Sequence, residues 1–135
     1  MKKITINAKI KAAREDAWAY YTNPEHIVNW NFASDDWCCP KAENDLKVGG
    51  KYLAKMEAKD GSFGFDFETT YSEVTTNESF TYGLGDRNVS VNFNNVGDQT
   101  EVIIKFDPET ENPIDMQRNG RQAILNNFKK YAESK

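Results

Sequence analysis

Apolar and polar residues alternate along most of this chain, as they do in β-strands that bury one face. The alternation changes phase within one run, near Ser72 and Glu73, which predicts a β-bulge there. Short polar turns join consecutive runs, so we expect an antiparallel sheet of about six or seven strands. The runs lie near residues 4–10, 52–56, 63–74, 80–84, 89–93 and 102–106.

Two short helices are predicted after the first strand. The spacing from Arg14 to Tyr21 favours a helix that Asn23-Pro24 ends, because proline disfavours the helical conformation in the residue before it. Pro24 can begin a second helix, since the first helical position needs no N–H donor. Residues 29–45 show no clear period and predict a long irregular segment, whose aromatic content favours a functional loop.

A longer helix of about 20 residues is predicted to begin near Pro113, with Ile124, Leu125 and Phe128 on one face. A sheet that buries one face needs a cover, and this helix is the only predicted element long enough. The expected fold class is therefore α+β, a curved antiparallel sheet wrapped around the C-terminal helix. A helix cannot fill a broad concave surface, so we expect a cavity between the two.

Composition narrows the classes of function. The chain has 135 residues, which we assign to a single domain at 1–135. Aromatic residues make up 13% of the chain, so large rings build the core or line a cavity. The net charge of −4 argues against nucleic acid, whose phosphates need clustered lysine and arginine. The sequence contains neither an apolar span of membrane length nor an N-terminal apolar signal region, so we expect a cytoplasmic protein without membrane contacts.

Polar candidates for catalysis or metal binding are few. His26 is the single histidine and lies on a short polar helix, where a solvated side chain is expected. Cys38 and Cys39 are adjacent, so they cannot easily share a metal or form an unstrained disulfide, and we expect two reduced thiols in a loop. Asp66 and Glu68 alternate on the face opposite the phenylalanines and should face solvent. The sequence predicts no catalytic residue, metal or cofactor.

Four motifs in order resemble the START-like helix-grip (SRPBCC) superfamily, and within it the branch related to the C-terminal domain of activators of the heat-shock protein 90 ATPase. Residues 17–30, AWAYYTNPEHIVNW, resemble the opening "VW-x3-T-[DN]-P-E-x-[LI]-x-x-W". LKVGGKY at 46–52 resembles "L-R-x-G-G-x-[FY]", and YSEV at 71–74 resembles "V-x-E-[IV]". Residues 120–125, GRQAIL, resemble "G-W-x-x-x-L", with Arg121 where the family usually has tryptophan.

The resemblance implies a helix-grip fold with a hydrophobic, lipid-binding-like cavity that in many relatives takes small apolar or aromatic molecules. Three functions are consistent with it. The first is non-enzymatic binding of a small hydrophobic or aromatic ligand. The second is interaction with a chaperone, as for the named relatives, and the third is a cyclase or aromatase of polyketide-like substrates. The expected partner is thus a small hydrophobic molecule, and both a homodimer and a chaperone partner stay open.

The candidate ligand-binding residues are large rings on the concave face or in the irregular segment, together with polar residues on the inward stripe of the last helix. Arg121 and Gln117 lie one and two turns before Leu125 on that stripe. An unpaired buried guanidinium is costly, so Arg121 must form a salt bridge, reach the rim of the cavity or meet an anionic ligand. The predicted set is Trp30, Phe32, Trp37, Tyr52, Phe67, Tyr82, Phe93, Gln117, Arg121 and Leu125.

Overall fold

The computed structural model describes residues 3–135, in which a curled seven-stranded antiparallel sheet wraps around the longest of three helices. The elements are β1 (Ile4–Ile10), α1 (Arg14–Thr22), α2 (Pro24–Ile27), β2 (Trp37–Asn44), β3 (Lys51–Ala58), β4 (Gly64–Thr75), β5 (Ser79–Leu84), β6 (Arg87–Val96), β7 (Gln99–Phe106) and α3 (Ile114–Glu133). Across the sheet the order is β1-β7-β6-β5-β4-β3-β2, so only the β1–β7 pair joins strands that are distant in the chain. This is the predicted α+β helix-grip fold. None of the helices in the described residues is long and apolar enough to span a bilayer.

Several local features of the structure are those that the sequence predicts. β1 is buried at every second residue from Ile4 to Ile10. The pairing of β4 with β5 shifts register between Tyr71 and Glu73, which is the predicted bulge. α2 begins at Pro24, and the Asn23 side chain accepts a hydrogen bond of 3.0 Å from the Glu25 N–H.

Residues 29–45 are not irregular throughout, because 37–44 form the edge strand β2. β2 pairs with β3 but slips register between Cys38 and Lys41, around Pro40, which has no N–H to donate. The slip explains why the burial of β2 does not alternate and why its sequence shows no period. Cys38 and Cys39 are free thiols as expected, but they lie in a strand rather than a loop.

The turn before β3 depends on glycine. A Cβ on Gly50 would lie 2.0 Å from the carbonyl oxygen of Asp45, so no larger residue fits there. The turn is held to the bulged part of β4, where Gly49 N–H donates to the Tyr71 carbonyl at 2.8 Å and Tyr71 N–H donates to the Gly50 carbonyl at 3.0 Å. This arrangement places Tyr52, near the start of β3, close to Tyr71.

The packed part of the core lies where α1 and the C-terminal half of α3 meet the sheet. Trp18 of α1 packs edge-on against Phe93 with ring centroids 5.2 Å apart, and against Phe80 at 5.8 Å. Phe128 of α3 is fully buried and lies 4.9 Å from the ring of Tyr21. Rings from four elements, α1, β5, β6 and α3, thus fill this end of the fold.

Candidate functional site

A cavity of about 410 Å³ lies between the concave face of the sheet and the N-terminal half of α3. Its size falls in the range of roughly 300–1,000 Å³ that is typical of small-molecule sites. Side chains of strands β3 to β7 form the sheet side, and α3 closes the other side with Gly120, Ile124 and Leu125. The strand residues on its walls include Tyr52, Met56, Phe67, Tyr71, Phe80, Tyr82, Ile104 and Phe106.

Seven of the ten residues predicted from the sequence line this cavity. They come from five separate parts of the fold: the segment after α2, the three strands β3 to β5, and α3. The fold therefore brings together side chains that are up to 95 residues apart, from position 30 to position 125. The seven are Trp30, Tyr52, Phe67, Tyr82, Gln117, Arg121 and Leu125.

The other three predicted residues do not line the cavity. Phe93 points to the same face of the sheet but lies beneath α1, where Trp18 covers it. Trp37 packs against Phe63 and Phe65 at the far end of β2, with ring centroids 6.0 and 6.1 Å away. Phe32 lies in the loop after α2, where its carbonyl accepts a hydrogen bond from the Asn127 side chain.

Several residues that line the cavity were not among those predicted from the sequence. Tyr21 lies three residues after Trp18, and so shares the inward face of α1 with it. The alternating pattern of β5 and β7 would have predicted three more inward-facing side chains, those of Phe80, Ile104 and Phe106. Asn31 had no such signal, because it lies in a loop without a period.

Arg121 is the charged group on the α3 side of the cavity. Its Nη1 donates to the Tyr82 hydroxyl at 3.3 Å, and its guanidinium carbon lies 4.7 Å from the centre of the Phe106 ring. Burial lowers the pKa of Arg121, but the attraction of Tyr82, Tyr21 and Glu109 outweighs that effect and raises it above the ordinary value. The guanidinium therefore keeps its charge.

The salt bridge considered for Arg121 is not formed. Among residues 3–135, no carboxylate makes an ion pair with this side chain. Glu109 is the acidic residue on the cavity wall, and its carboxylate instead accepts from the Asn112 side chain. The direct contacts of the positive charge are thus an aromatic face and a phenol oxygen, and Glu109 attracts it without forming an ion pair.

Gln117 lines the cavity, but its side-chain amide already forms hydrogen bonds to the loop before α3. Its Oε1 accepts from the Glu109 N–H at 2.9 Å, and its Nε2 donates to the carbonyl oxygens of Asn112 and Glu109 at 2.8 and 3.2 Å. The amide therefore fixes the start of α3 against the end of β7. Its polar groups are satisfied without a ligand.

Four tyrosines, Tyr21, Tyr52, Tyr71 and Tyr82, also place their side chains on the walls. Tyr52 accepts from the Asn31 amide at 3.1 Å, and Tyr71 donates to Asn44 Oδ1 at 2.7 Å. Burial raises the pKa of Tyr21, Tyr52 and Tyr71 well above the ordinary value for tyrosine. These phenols remain protonated at neutral pH and are hydrogen-bond donors rather than bases.

His26 is partly buried and makes specific contacts, whereas its polar helix predicted a solvated side chain. Its Nδ1 lies 2.5 Å from the Tyr131 hydroxyl near the end of α3, and its ring packs edge-on against Tyr20 at 5.0 Å. The contact fixes α2 to α3 outside the cavity. Within the described residues, no cluster of three or more histidine, cysteine or acidic side chains could hold a metal ion.

Comparison with known proteins agrees with this architecture. Residues 11–133 match the family model described as Activator of Hsp90 ATPase homolog 1-like protein. The solution NMR structure of the AHSA1-like protein from Aeromonas hydrophila is 40% identical, with a TM-score of 0.92 over 98% of this chain and 92% of that chain. The solution structure of Chr148 from Cytophaga hutchinsonii is 47% identical, with a TM-score of 0.84 over 98% of this chain and 92% of that chain.

More distant structures share the fold alone. The crystal structure of CV1439 from Chromobacterium violaceum has a TM-score of 0.85 at 19% identity, and the match covers 98% of this chain and 99% of that chain. No curated protein is significantly similar to the chain.

Proposed function

The chain belongs to the Activator of Hsp90 ATPase homolog 1-like protein family, and we propose that it binds a small hydrophobic or aromatic molecule without converting it. The observation that carries the proposal is the cavity of about 410 Å³, whose walls are mainly aromatic and aliphatic side chains. Such a space with a few placed polar groups is the usual form of a small-molecule site.

The protonation of the cavity tyrosines favours binding over acid–base catalysis. A general base works best with a pKa near the working pH, whereas burial raises the pKa of Tyr21 and Tyr52 away from it. The Arg121 guanidinium holds its proton as well. These groups can orient a ligand by donating hydrogen bonds, but they are poorly suited to accept a proton from it.

Thermal-shift measurement with a flavonoid and a medium-chain fatty acid tests the proposal. A ligand that binds only the folded chain, present at about 100 times its Kd, should raise Tm by roughly 10 °C. Gly120→Phe should fill the cavity, because a Cβ at Gly120 meets no atom within 4 Å. The variant should fold and lose the ligand-induced shift.

Asn119→Phe is the matched control, since Asn119 is exposed on the same helix and does not line the cavity. This variant should keep the shift. If no compound of either class raises Tm in the unmodified chain, or if Gly120→Phe binds as well as Asn119→Phe, the cavity is not the binding site. Gly120→Leu serves in the same comparison if the larger side chain prevents folding.

The family description supports a second candidate, activation of the Hsp90 ATPase, through the match at residues 11–133. A chaperone would contact the outer surface of the fold, so Gly120→Phe should activate Hsp90 as well as the unmodified chain does. The assay is the ATPase rate of purified Hsp90 with increasing amounts of each protein. An unchanged rate at excess chain would remove this candidate.

A further inference from the structure

Two polar side chains that line the cavity, Arg121 and Tyr82, have hydrogen-bond donors left over. The Arg121 guanidinium carries five N–H groups, of which the structure pairs one, to the Tyr82 hydroxyl at 3.3 Å. Because that hydroxyl oxygen accepts from Arg121, its own proton is free to bond elsewhere. The proton of the Tyr52 hydroxyl is also free, since the oxygen of this hydroxyl accepts a hydrogen bond from Asn31 at 3.1 Å.

No acceptor from the protein matches these donors. Within residues 3–135, no side chain or carbonyl accepts from the hydroxyls of Tyr52 or Tyr82, and no carboxylate pairs with Arg121. The Phe106 ring, 4.7 Å away, offsets part of the cost of holding the guanidinium out of water. The remaining N–H groups are not sealed off from the cavity, so an oxygen atom of a ligand can reach them and accept their hydrogen bonds.

Two of these donors, Tyr82 and Arg121, lie at one row of the sheet. Tyr82, Val89 and Phe106 pair across β5, β6 and β7, and Arg121 lies over this row from the α3 side. One end of the cavity is therefore cationic and rich in donors. The next row along the sheet, Phe80, Val91 and Ile104, carries no polar side-chain atom.

We propose that the ligand is a small organic carboxylate, bound through its carboxylate oxygens to the Arg121 guanidinium and the Tyr82 hydroxyl. The apolar body of the ligand would lie against Phe80 and Ile104. A carboxylate fits because the planar guanidinium donates two parallel hydrogen bonds to it. Arg121 and Arg87 on the wall, less the charge of the Glu109 carboxylate, leave one positive charge for the ligand to match. This inference rests on the proposed function and specifies the chemical class of the ligand.

Isothermal titration with a matched pair of probes tests the inference. 2-Naphthoate and 2-naphthamide have the same ring and nearly the same size, but only the first is an anion. At neutral pH the unmodified chain should bind the acid about tenfold to a hundredfold more tightly than the amide. Arg121→Met should bring this ratio close to one, and Tyr82→Phe should lower it by a smaller factor.

Arg118→Met is the control, because Arg118 is an exposed arginine on the same helix that pairs with Asp115 at 3.0 Å. This variant should leave the ratio of the two affinities unchanged. Circular dichroism establishes that each variant is folded, and Arg121→Gln replaces Arg121→Met if the latter is not. Equal affinities for acid and amide in the unmodified chain would overturn the inference and leave the proposed function intact. Absence of binding by both probes and by the wider panel would overturn both.

Discussion

The two halves of α3 perform different tasks although one apolar stripe runs through both. In the C-terminal half, Leu125, Phe128 and Ala132 are at most 2% exposed. In the N-terminal half no residue is buried, and Arg121 and Gly120 border the cavity instead. The same helix therefore closes the core at one end and forms the wall of a cavity at the other.

The difference comes from what faces each half. α1 and the segment after α2 bring Tyr21 and Trp30 onto Phe128, with ring centroids 4.9 and 5.1 Å away. No helix of the described residues fills the corresponding space beneath Arg121, which lies over the open row of Tyr82 and Phe106. Where side chains interlock, the sequence must be apolar, and where they border a cavity, it can be polar.

Removing a large side chain from the packed part of α3 and one from the part that borders the cavity provides the strongest test of this comparison. Phe128→Ala should lower the free energy of unfolding by about 3–5 kcal/mol, because it opens a new void among packed rings. Ile124→Ala should cost about 1 kcal/mol, since Ile124 is partly exposed and already borders a cavity. Urea denaturation of both variants gives the two values. Equal losses would show that α3 is packed as tightly where it borders the cavity as it is around Phe128.

The predictable part of the fold follows from local periodicity. Alternation in β4 and β5 placed Phe67 and Tyr82 on the concave face, and the helical stripe placed Leu125 opposite them. Alternation assigns a face of the sheet but not a position along it. The alternation therefore predicted that both Phe93 and Tyr82 line the cavity. In the structure α1 covers Phe93, and the cavity lies over Tyr82.

The unpredicted features depend on contacts between distant segments. The sequence around Trp37 shows no period because β2 is an edge strand with a register slip, and its pairing with β3 is visible only in the fold. The partners of Arg121 are 39 and 15 positions away, at Tyr82 and Phe106. The sequence indicated that Arg121 needed a partner, but it could not identify a phenol and an aromatic ring.

A smaller effect, of opposite sign, is expected at Gly120. Glycine inside a helix costs conformational entropy, and a Cβ at this position would meet no atom within 4 Å. Gly120→Ala should therefore raise the free energy of unfolding by about 0.5–1 kcal/mol. Gly61→Ala is the contrasting control, because Gly61 also has open space but a φ of +76° that alanine adopts with strain. A loss of stability in Gly120→Ala would indicate that α3 packs more closely on the cavity than described.

The smallest expected effect is a pH dependence at the C-terminal end of α3. The Glu133 carboxylate accepts from the Lys11 N–H at 3.0 Å and from Lys129 Nζ at 3.1 Å, whereas no such ion pair joins Arg121 in the other half. The Lys11 N–H and then Lys129 lower the pKa of Glu133 below its ordinary value of 4.5. Since the folded state favours the charged form, the stabilisation is complete above that ordinary value and is lost as the pH falls through the lowered pKa.

Glu133→Gln should therefore lower Tm at pH 7, and the difference from the unmodified chain should shrink as the pH falls below 4.5. Thermal unfolding followed by circular dichroism between pH 7 and pH 3 measures this difference. Glu111→Gln is the matched control, because Glu111 is exposed and forms no ion pair within residues 3–135. A Glu133→Gln difference that stays constant with pH would mean that the carboxylate contributes through its shape and neutral hydrogen bonds. The packed half of α3 would then be held by burial alone, and its contrast with the cavity half would be one of packing without a contribution from charge.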